Sequence, residues 1–224
     1  MSSDIAELRK LLGESALVSP EKVQSKPGCS TGIASFDNFL LWKGFPKGAL
    51  SLIQGEVGMG ATHLWLEAAA RLTHAGKWAA WLNGRESQLN GAALRKLKLD
   101  KLLWISAPAD LKQKLWALQE VCSLCLFDLI GCDLESESLR VGQILKLKKI
   151  ALRYQVALVL FSRTQRSHPF FPLAIEMTSK DLKVVRALHR PTPHLIERRE
   201  LYADTLPQLA AGRSAFRRRK LPHL

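Results

Sequence analysis

The sequence has little cysteine and no long apolar segment, and each shortage excludes a class of protein. Four cysteines among 224 residues are too few for a disulfide scaffold, and sparing use of thiols suits a reducing compartment. No apolar run approaches the roughly 20 residues that span a bilayer. The first residues also lack the basic start and apolar block of a secretory signal. We therefore expect a cytoplasmic protein without a membrane partner.

Two of the cysteines, Cys122 and Cys125, have the spacing of a metal-binding or redox pair. No second pair follows at the spacing of a zinc site, and Cys125 lies inside the apolar run 124–127. We interpret both thiols as small side chains of the hydrophobic core.

Acidic residues are also scarce, with 20 Asp and Glu against 33 Lys and Arg, which gives a net charge of +13. Uncompensated positive charge attracts polyanions such as nucleic acid. Two internal basic groups, at 95–101 and 146–153, are either solvated faces or phosphate contacts, and both interpretations stay open. The basic end of the chain is predicted to bind DNA through Arg213, Arg217, Arg218, Arg219 and Lys220.

Strand-like apolar runs alternate with helix-like segments through the middle of the chain. This alternation predicts an α/β fold, with a mostly parallel sheet and helices on both faces. Three short strands at the end, joined without helices, are predicted to extend one edge of the sheet as antiparallel strands. The predicted strands are 50–54, 78–82, 102–105, 124–128, 156–162, 173–177, 182–188 and 194–199. The predicted helices are 63–75, 88–96, 111–122 and 139–154.

We divide the chain into three parts. Residues 1–28 are predicted to form an N-terminal helix and a linker, because apolar residues at helical spacing precede a stretch that contains Pro and Gly. Residues 29–200 are predicted to form the core, and residues 201–224 a basic C-terminal tail.

The aromatic residues have two interpretations. Six tryptophans could stack on unpaired bases, but most of them fall inside apolar helices or strands, where they are expected to belong to the core or to a subunit contact. The segment 168–172, with two Phe between two Pro, either touches DNA or a partner or packs into the core.

The segment 55–62 fits the phosphate-loop pattern at every defining position but one. That pattern is Gly, four residues, then Gly-Lys-Ser/Thr, because backbone N–H groups wrap the phosphates, the ammonium reaches the outer phosphates and the hydroxyl holds magnesium. Gly55, Gly60 and Thr62 match the pattern, but Ala61 stands where the lysine belongs. A predicted strand precedes the segment and a predicted helix follows it, as a phosphate loop requires.

An acidic residue provides a second signal of a nucleotide site. Asp128 closes the apolar run 124–127 and either binds magnesium, as such aspartates do in phosphate-loop enzymes, or caps a strand. Thr62 and Asp128 are therefore the candidate metal ligands if a nucleotide binds. His63 either donates a hydrogen bond to a phosphate or lies on the helix surface. The candidate nucleotide site consists of Gly55, Glu56, Val57, Gly58, Met59, Gly60, Ala61, Thr62, His63 and Asp128.

The segment before the loop contains Ser30-Thr31-Gly32, an apolar residue before Asp37, and a Gly-rich turn with Pro46 and Gly48. In order and spacing these residues resemble the start of the ATPase core of the RecA/RadA/KaiC superfamily. The resemblance covers roughly residues 29–199 and weakens after 162. It implies a RecA-like phosphate-loop core.

The resemblance also implies that hydrolysis has been lost. The family's phosphate-contacting lysine corresponds to Ala61, and its catalytic glutamate falls on Arg85, with Glu86 as the alternative after a one-residue slip. Arg163 or Gln165 stands where the family has a phosphate-sensing residue. We therefore assign no catalytic residue, expect ATP and magnesium to bind weakly if they bind, and expect a protein that is not an enzyme.

Two kinds of short, degenerate RecA-like proteins are similar to this chain. The ImuA type assists translesion synthesis, and the SulA type is an SOS-induced inhibitor of cell division. The chain looks more like the ImuA type, which implies a non-hydrolysing accessory protein of DNA repair and DNA damage tolerance. Its expected partners are DNA, an ImuB-type polymerase homologue or a RecA-like protein, and a further copy of itself. An active DNA-dependent ATPase or recombinase and a SulA-type inhibitor remain the alternatives.

Overall fold

The computed structural model describes residues 28–56, 58–83, 94–106, 110–178, 181–187 and 193–197. Several sequence predictions lie outside these ranges. They are the N-terminal helix, most of the helix at 88–96, Val57, Arg85, Glu86, and the tail residues Arg213, Arg217, Arg218, Arg219 and Lys220.

Eight strands of the described chain form one mixed sheet. They are β1 (Ala49–Gln54), β2 (Trp78–Asn83), β3 (Leu102–Ser106), β4 (Phe127–Asp133), β5 (Ala157–Ser162), β6 (Leu173–Met177), β7 (Asp181–Ala187) and β8 (His194–Glu197). Their order across the sheet is β3-β2-β4-β5-β1-β6-β7-β8. The first six strands run parallel, and β7 and β8 run antiparallel at one edge. The predicted α/β class is confirmed, except that β6 pairs with β1 in parallel and not in antiparallel fashion.

Helices cover both faces of the sheet. Helices α1 (Ala34–Phe39) and α2 (Ala61–His74) contribute to one apolar cluster, and α3 (Leu111–Ser123) and α4 (Val141–Tyr154) contribute to a second on the other face. The central strands feed both clusters by alternation: Leu52 packs on the α3–α4 side and Ile53 on the α2 side. Every residue of β5 is buried, as a strand covered on both faces requires. None of the helices in the described ranges is long and apolar enough to cross a membrane.

The strand predicted at 124–128 is wrong. Helix α3 continues to Ser123, Leu124 and Leu126 are more than half exposed, and the chain reverses at Cys125, whose φ is +54°. Residues 124–126 of the apolar run therefore form a turn, and the strand begins at Phe127. The interpretation of Cys125 as a core residue is wrong for the same reason, because its side chain is exposed.

The other three thiols are buried. Burial raises the pKa of Cys29, Cys122 and Cys132 to about 12, far above neutral pH. Because the thiolate is the reactive form, these three residues are protected by their pKa as well as by their position.

We predict that one thiol of the four reacts quickly with a disulfide reagent such as DTNB in the native protein, and that the other three react only after unfolding. The measurement is the number of thiols released in the fast phase at neutral pH. The variant Cys125→Ser should lose that phase. A fast phase that survives in Cys125→Ser, or that releases two thiols, would contradict the burial described above.

A single carboxylate organises the segment before β1. Asp37, in α1, accepts hydrogen bonds from the backbone N–H and the hydroxyl of Thr31 at 3.1 and 2.8 Å, from the hydroxyl of Ser30 at 2.7 Å, and from the N–H of Gly32 at 2.8 Å. Because Asp37 and Thr31 are buried, water cannot replace these partners. The residues whose spacing resembles the RecA-type start are thus the residues that hydrogen bonds to Asp37 join in this turn.

Replacement of Asp37 by Ala should lower the free energy of unfolding by about 3 kcal/mol, because buried donors lose an ionised acceptor. Denaturation followed by tryptophan fluorescence measures the change. Asn38→Ala is the matched control in the same helix, since Asn38 bonds only the exposed Lys43 among the described residues, and it should change stability by less than about 0.5 kcal/mol. Equal effects of the two substitutions would refute the role given to Asp37.

Candidate functional site

The loop that the sequence singles out lies between β1 and α2, as predicted. Strand β1 ends at Gln54 and α2 begins at Ala61, with Gly60 as the residue before the helix. Gly58 and Gly60 have φ values of +85° and +90°, a region that side chains other than glycine rarely adopt. A Cβ placed on Gly58 would meet no atom within 4 Å, so the loop has open space beside it. Glycine at these two positions of the pattern therefore permits the backbone conformation that the loop adopts.

The first turn of α2 carries the side chains that would flank a phosphate. Ala61 is its first residue and packs against the apolar cluster on the α2 side of the sheet. Thr62 is partly buried at the second position, where a magnesium-binding hydroxyl is expected. His63 places Nδ1 3.8 Å from Oε1 of Glu67, one turn further along the helix. This contact favours the interpretation of His63 as a residue of the helix surface.

Asp128 does not join this loop. It is the second residue of β4, and its neighbour Leu129 pairs through Ala157 with Ala49, the first residue of β1. The loop follows the other end of β1, five residues and roughly 17 Å away along the strand. The prediction that Asp128 ends a strand is wrong, and an ion held there cannot also be held by Thr62.

Asp128 belongs instead to a charged cluster at the amino edge of the sheet. Its carboxylate pairs with Lys47 and lies 3.7 Å from Nζ of Lys77, and its carbonyl accepts from the thiol of Cys29. Partial burial lowers the pKa of Lys47, but the hydrogen bond and the charge of Asp128 raise it by more, so the net shift is upward. These contacts give Asp128 a structural role between the turn before β1 and the start of β4.

The carboxylate at the correct edge is Asp133, which sequence reasoning missed. Asp133 is the last residue of β4 and pairs with Phe161, which pairs with Ile53 next to the end of β1. Its Oδ1 accepts the backbone N–H of Glu135 at 2.7 Å. The sequence carries the same signal here as at Asp128, because the buried run 129–132 is followed directly by an acid.

A buried lysine also lies at this end of β4. Lys114, in α3, has a side chain that is 1% exposed, and its Nζ donates to the carbonyl oxygen of Asp133 at 2.9 Å and lies 3.6 Å from Oε2 of Glu135. Both contacts hold the ammonium of Lys114 at the carboxyl end of β4. Lys114 therefore does not supply the phosphate loop with the cation that Ala61 lacks.

The loops after β4 and β5 are bound to each other. The hydroxyl of Ser162 accepts the N–H groups of Thr164 and Gln165 at 3.2 and 2.9 Å, and Oε1 of Gln165 accepts the N–H of Leu139 at 2.6 Å. Gln165 is buried and its amide nitrogen donates to the carbonyl of Arg166. The side chain of Gln165 thus fixes the loop and is not available as a phosphate sensor. The backbone of Arg163 donates to the carbonyl of Glu135 at 2.9 Å.

Aromatic rings fill the layer beneath the loop. Trp65 and Trp81 stand 4.7 Å apart between ring centres, and Trp81 lies 5.0 Å from Phe161. All three are buried, which confirms the core interpretation for these two tryptophans. Trp116 differs, since 64% of it is exposed.

The loop can offer backbone N–H groups to an anion, and its first helical position is Ala61, which carries no charge. Four lysines of the described chain contact carboxylates outside the loop, namely Lys47 and Lys77 with Asp128, Lys96 with Glu67, and Lys114 with Glu135. The helix start and the glycines can present N–H groups to an anion. Within the described ranges, no group of three or more His, Cys, Asp or Glu side chains is arranged to hold a metal.

Comparison with known proteins gives one informative match. The sequence matches no protein-family model. Over 93 residues, 41% of the chain, it is 34% identical to the DNA repair protein RadA of Mycolicibacterium smegmatis (strain ATCC 700084 / mc(2)155). The match spans 20% of that protein, so the chain corresponds to about one fifth of its relative. Together with the sheet order and the loop, this match shows a distant relationship to RecA-like proteins.

Proposed function

We propose that this protein is a RecA-like accessory factor of DNA repair that binds DNA and partner proteins and does not hydrolyse ATP. One observation carries the proposal: the phosphate-loop backbone is retained while its cation position is Ala61, packed against the apolar cluster on the α2 side.

The cost of that replacement can be estimated from the chemistry. Phosphoryl transfer depends on cations that stabilise the charge on the transferring group, and removal of one such group costs on the order of a thousandfold in rate. The buried Lys114 is held by Asp133 and Glu135, so it does not compensate. A loop of this kind keeps a shape that partners can recognise after catalysis has been lost.

The place in DNA repair is supported by two independent features. The relative with 34% identity is named a DNA repair protein, and the net charge of +13 suits a protein that works on nucleic acid. The resemblance to ImuA-type proteins makes the role more specific: assistance of translesion synthesis in the cytoplasm, with an ImuB-type polymerase homologue or a RecA-like protein as partner.

An active DNA-dependent ATPase is the second candidate, and Asp133 is the observation that favours it. This carboxylate lies at the same edge of the sheet as the loop, where a magnesium ligand would be required. The two candidates differ in whether ATP is turned over.

We predict that Ala61→Lys binds MgATP at least tenfold more tightly than the unmodified chain, because an ammonium adds a charged contact to the outer phosphates. Titration with a fluorescent ATP analogue measures both affinities. Ala61→Gln is the matched control, since it adds length without charge and should not tighten binding. Tight binding by the unmodified chain that Ala61→Lys does not improve would contradict the role given to the missing cation.

The unmodified chain should release no phosphate from ATP above background, with or without single-stranded DNA. A sensitive phosphate assay tests this under single-turnover conditions. Asp133→Asn and Asp128→Asn are compared because they change carboxylates at opposite ends of β4. Turnover that is lost in Asp133→Asn and kept in Asp128→Asn would reject the non-hydrolysing proposal and establish the ATPase.

A further inference from the structure

The outer face of α4 carries positive charge without a compensating acid. The helix contains Lys146, Lys148, Lys149 and Arg153 and no Asp or Glu. Lys146, Lys149 and Arg153 are spaced by three and four residues, so they form one stripe on the helix. The buried residues Ile144, Leu147 and Ala151 lie on the side that packs on the sheet. The stripe therefore points away from the protein and extends over about 10 Å.

These three cations have no ion-pair partner among the described residues. The contact nearest to one is the ring of Tyr154, whose centre lies 5.6 Å from the guanidinium carbon of Arg153. Charges that are neither paired nor buried keep their full attraction for an external anion, although salt in solution weakens it. Of the two interpretations open for the basic group at 146–153, the structure supports an exposed cationic surface.

An exposed tryptophan lies on the neighbouring helix, α3. Helices α3 and α4 contact each other, and both begin at the carboxyl edge of the sheet. Trp116 lies on the outer side of α3, opposite the buried residues Leu118 and Cys122 of that helix. Neighbouring helix axes are about 8–10 Å apart. A tryptophan that is 64% exposed is uncommon in a folded protein and presents a large flat ring to solvent.

The surroundings keep this face positive. Lys112 lies on the exposed side of α3 with Trp116, and Glu120, one turn further along, is the acidic residue on that side within the described helix. At the flank of α4, Nζ of Lys148 lies 5.5 Å from the centre of the Phe170 ring. Phe170 itself packs partly against the apolar cluster beneath α3 and α4.

We propose that the outer face of α3 and α4 binds single-stranded DNA, with Lys146, Lys149 and Arg153 on successive phosphates and Trp116 stacked on a base. This inference rests on the proposed function for the presence of DNA, and it assigns the binding surface to the folded core as well as to the basic tail. Single strands expose the faces of their bases, and aromatic rings combined with cations are the usual means of holding them. A duplex would use the cations but not the ring.

The test uses the full chain and a fluorescently labelled oligo(dT), with binding followed by anisotropy at several salt concentrations. The triple variant K146Q/K149Q/R153Q should bind at least tenfold more weakly at 0.1 M salt. Its slope of log K against log salt should fall by about two, since each phosphate contact contributes about 0.7 on single strands. Trp116→Ala should bind single strands about tenfold more weakly. Trp116→Phe should recover most of the affinity, and duplex binding should be unchanged by either substitution.

The matched control is K43Q/R71Q/R186Q, which removes the same charge from exposed residues outside α3, α4 and the basic group 95–101. It should retain most of the affinity and the stacking effect. All substituted side chains are exposed, so the unfolding midpoint should stay unchanged and serves as the check on folding.

The outcomes separate this inference from the proposed function. If the unmodified chain binds no oligonucleotide, both are overturned. If it binds, and removal of residues 213–224 abolishes binding while the α3–α4 variants bind normally, the inference is overturned and the proposed function stands. Equal losses in the triple variant and in the control would reduce the effect to net charge and would also overturn the inference.

Discussion

Parallel pairing of β4, β5 and β1 in register decides which side chains meet at each edge of the sheet. Leu129, Ala157 and Ala49 lie across from one another at the amino edge, and Asp133, Phe161 and Ile53 do so near the carboxyl edge. The last residue of one strand therefore lies beside the loop that follows another strand. This constraint brings Asp133 to the edge where the phosphate-loop frame lies, and it holds Asp128 at the opposite edge with Lys47.

The sequence was sufficient to predict segments whose structure follows from a local residue pattern. Strands buried on both faces are continuous apolar runs, so β1 and β5 were predicted to within one residue, and the glycine pattern located the loop. It was insufficient where tertiary contacts decide. The run 124–127 is as apolar as a strand, but its first three residues form a turn, because α3 reaches Ser123 and β4 begins at Phe127. The burial of Lys114 depends on Asp133 and Glu135, which no local pattern links to it.

Hydrogen bonds tie together the segments at the carboxyl edge of β4 and β5. Ser162 and Gln165 join the segments after β4 and β5, because their side-chain oxygens accept hydrogen bonds from backbone N–H groups. The ammonium of Lys114 is also bonded to the backbone, since it donates to a carbonyl oxygen. The loop between β1 and α2 has Ala61 where the phosphate-loop pattern has lysine, and Trp65 and Trp81 pack together in the apolar cluster on the same side of the sheet. The exposed charge of α4 and the ring of Trp116 lie on the α3–α4 face, whereas this loop leads into α2 on the other face.

The most direct test of the retained loop is a crystal structure of Ala61→Lys with magnesium and a non-hydrolysable ATP analogue. The account predicts that the outer phosphates lie against the backbone N–H groups of residues 60–62, since the N–H of Met59 is bonded to the carbonyl of Glu56, with the introduced ammonium on the phosphates and the metal near Thr62 on the side of Asp133. An analogue bound elsewhere, or a loop that must refold before it accepts the phosphates, would contradict the claim that only the cation is missing.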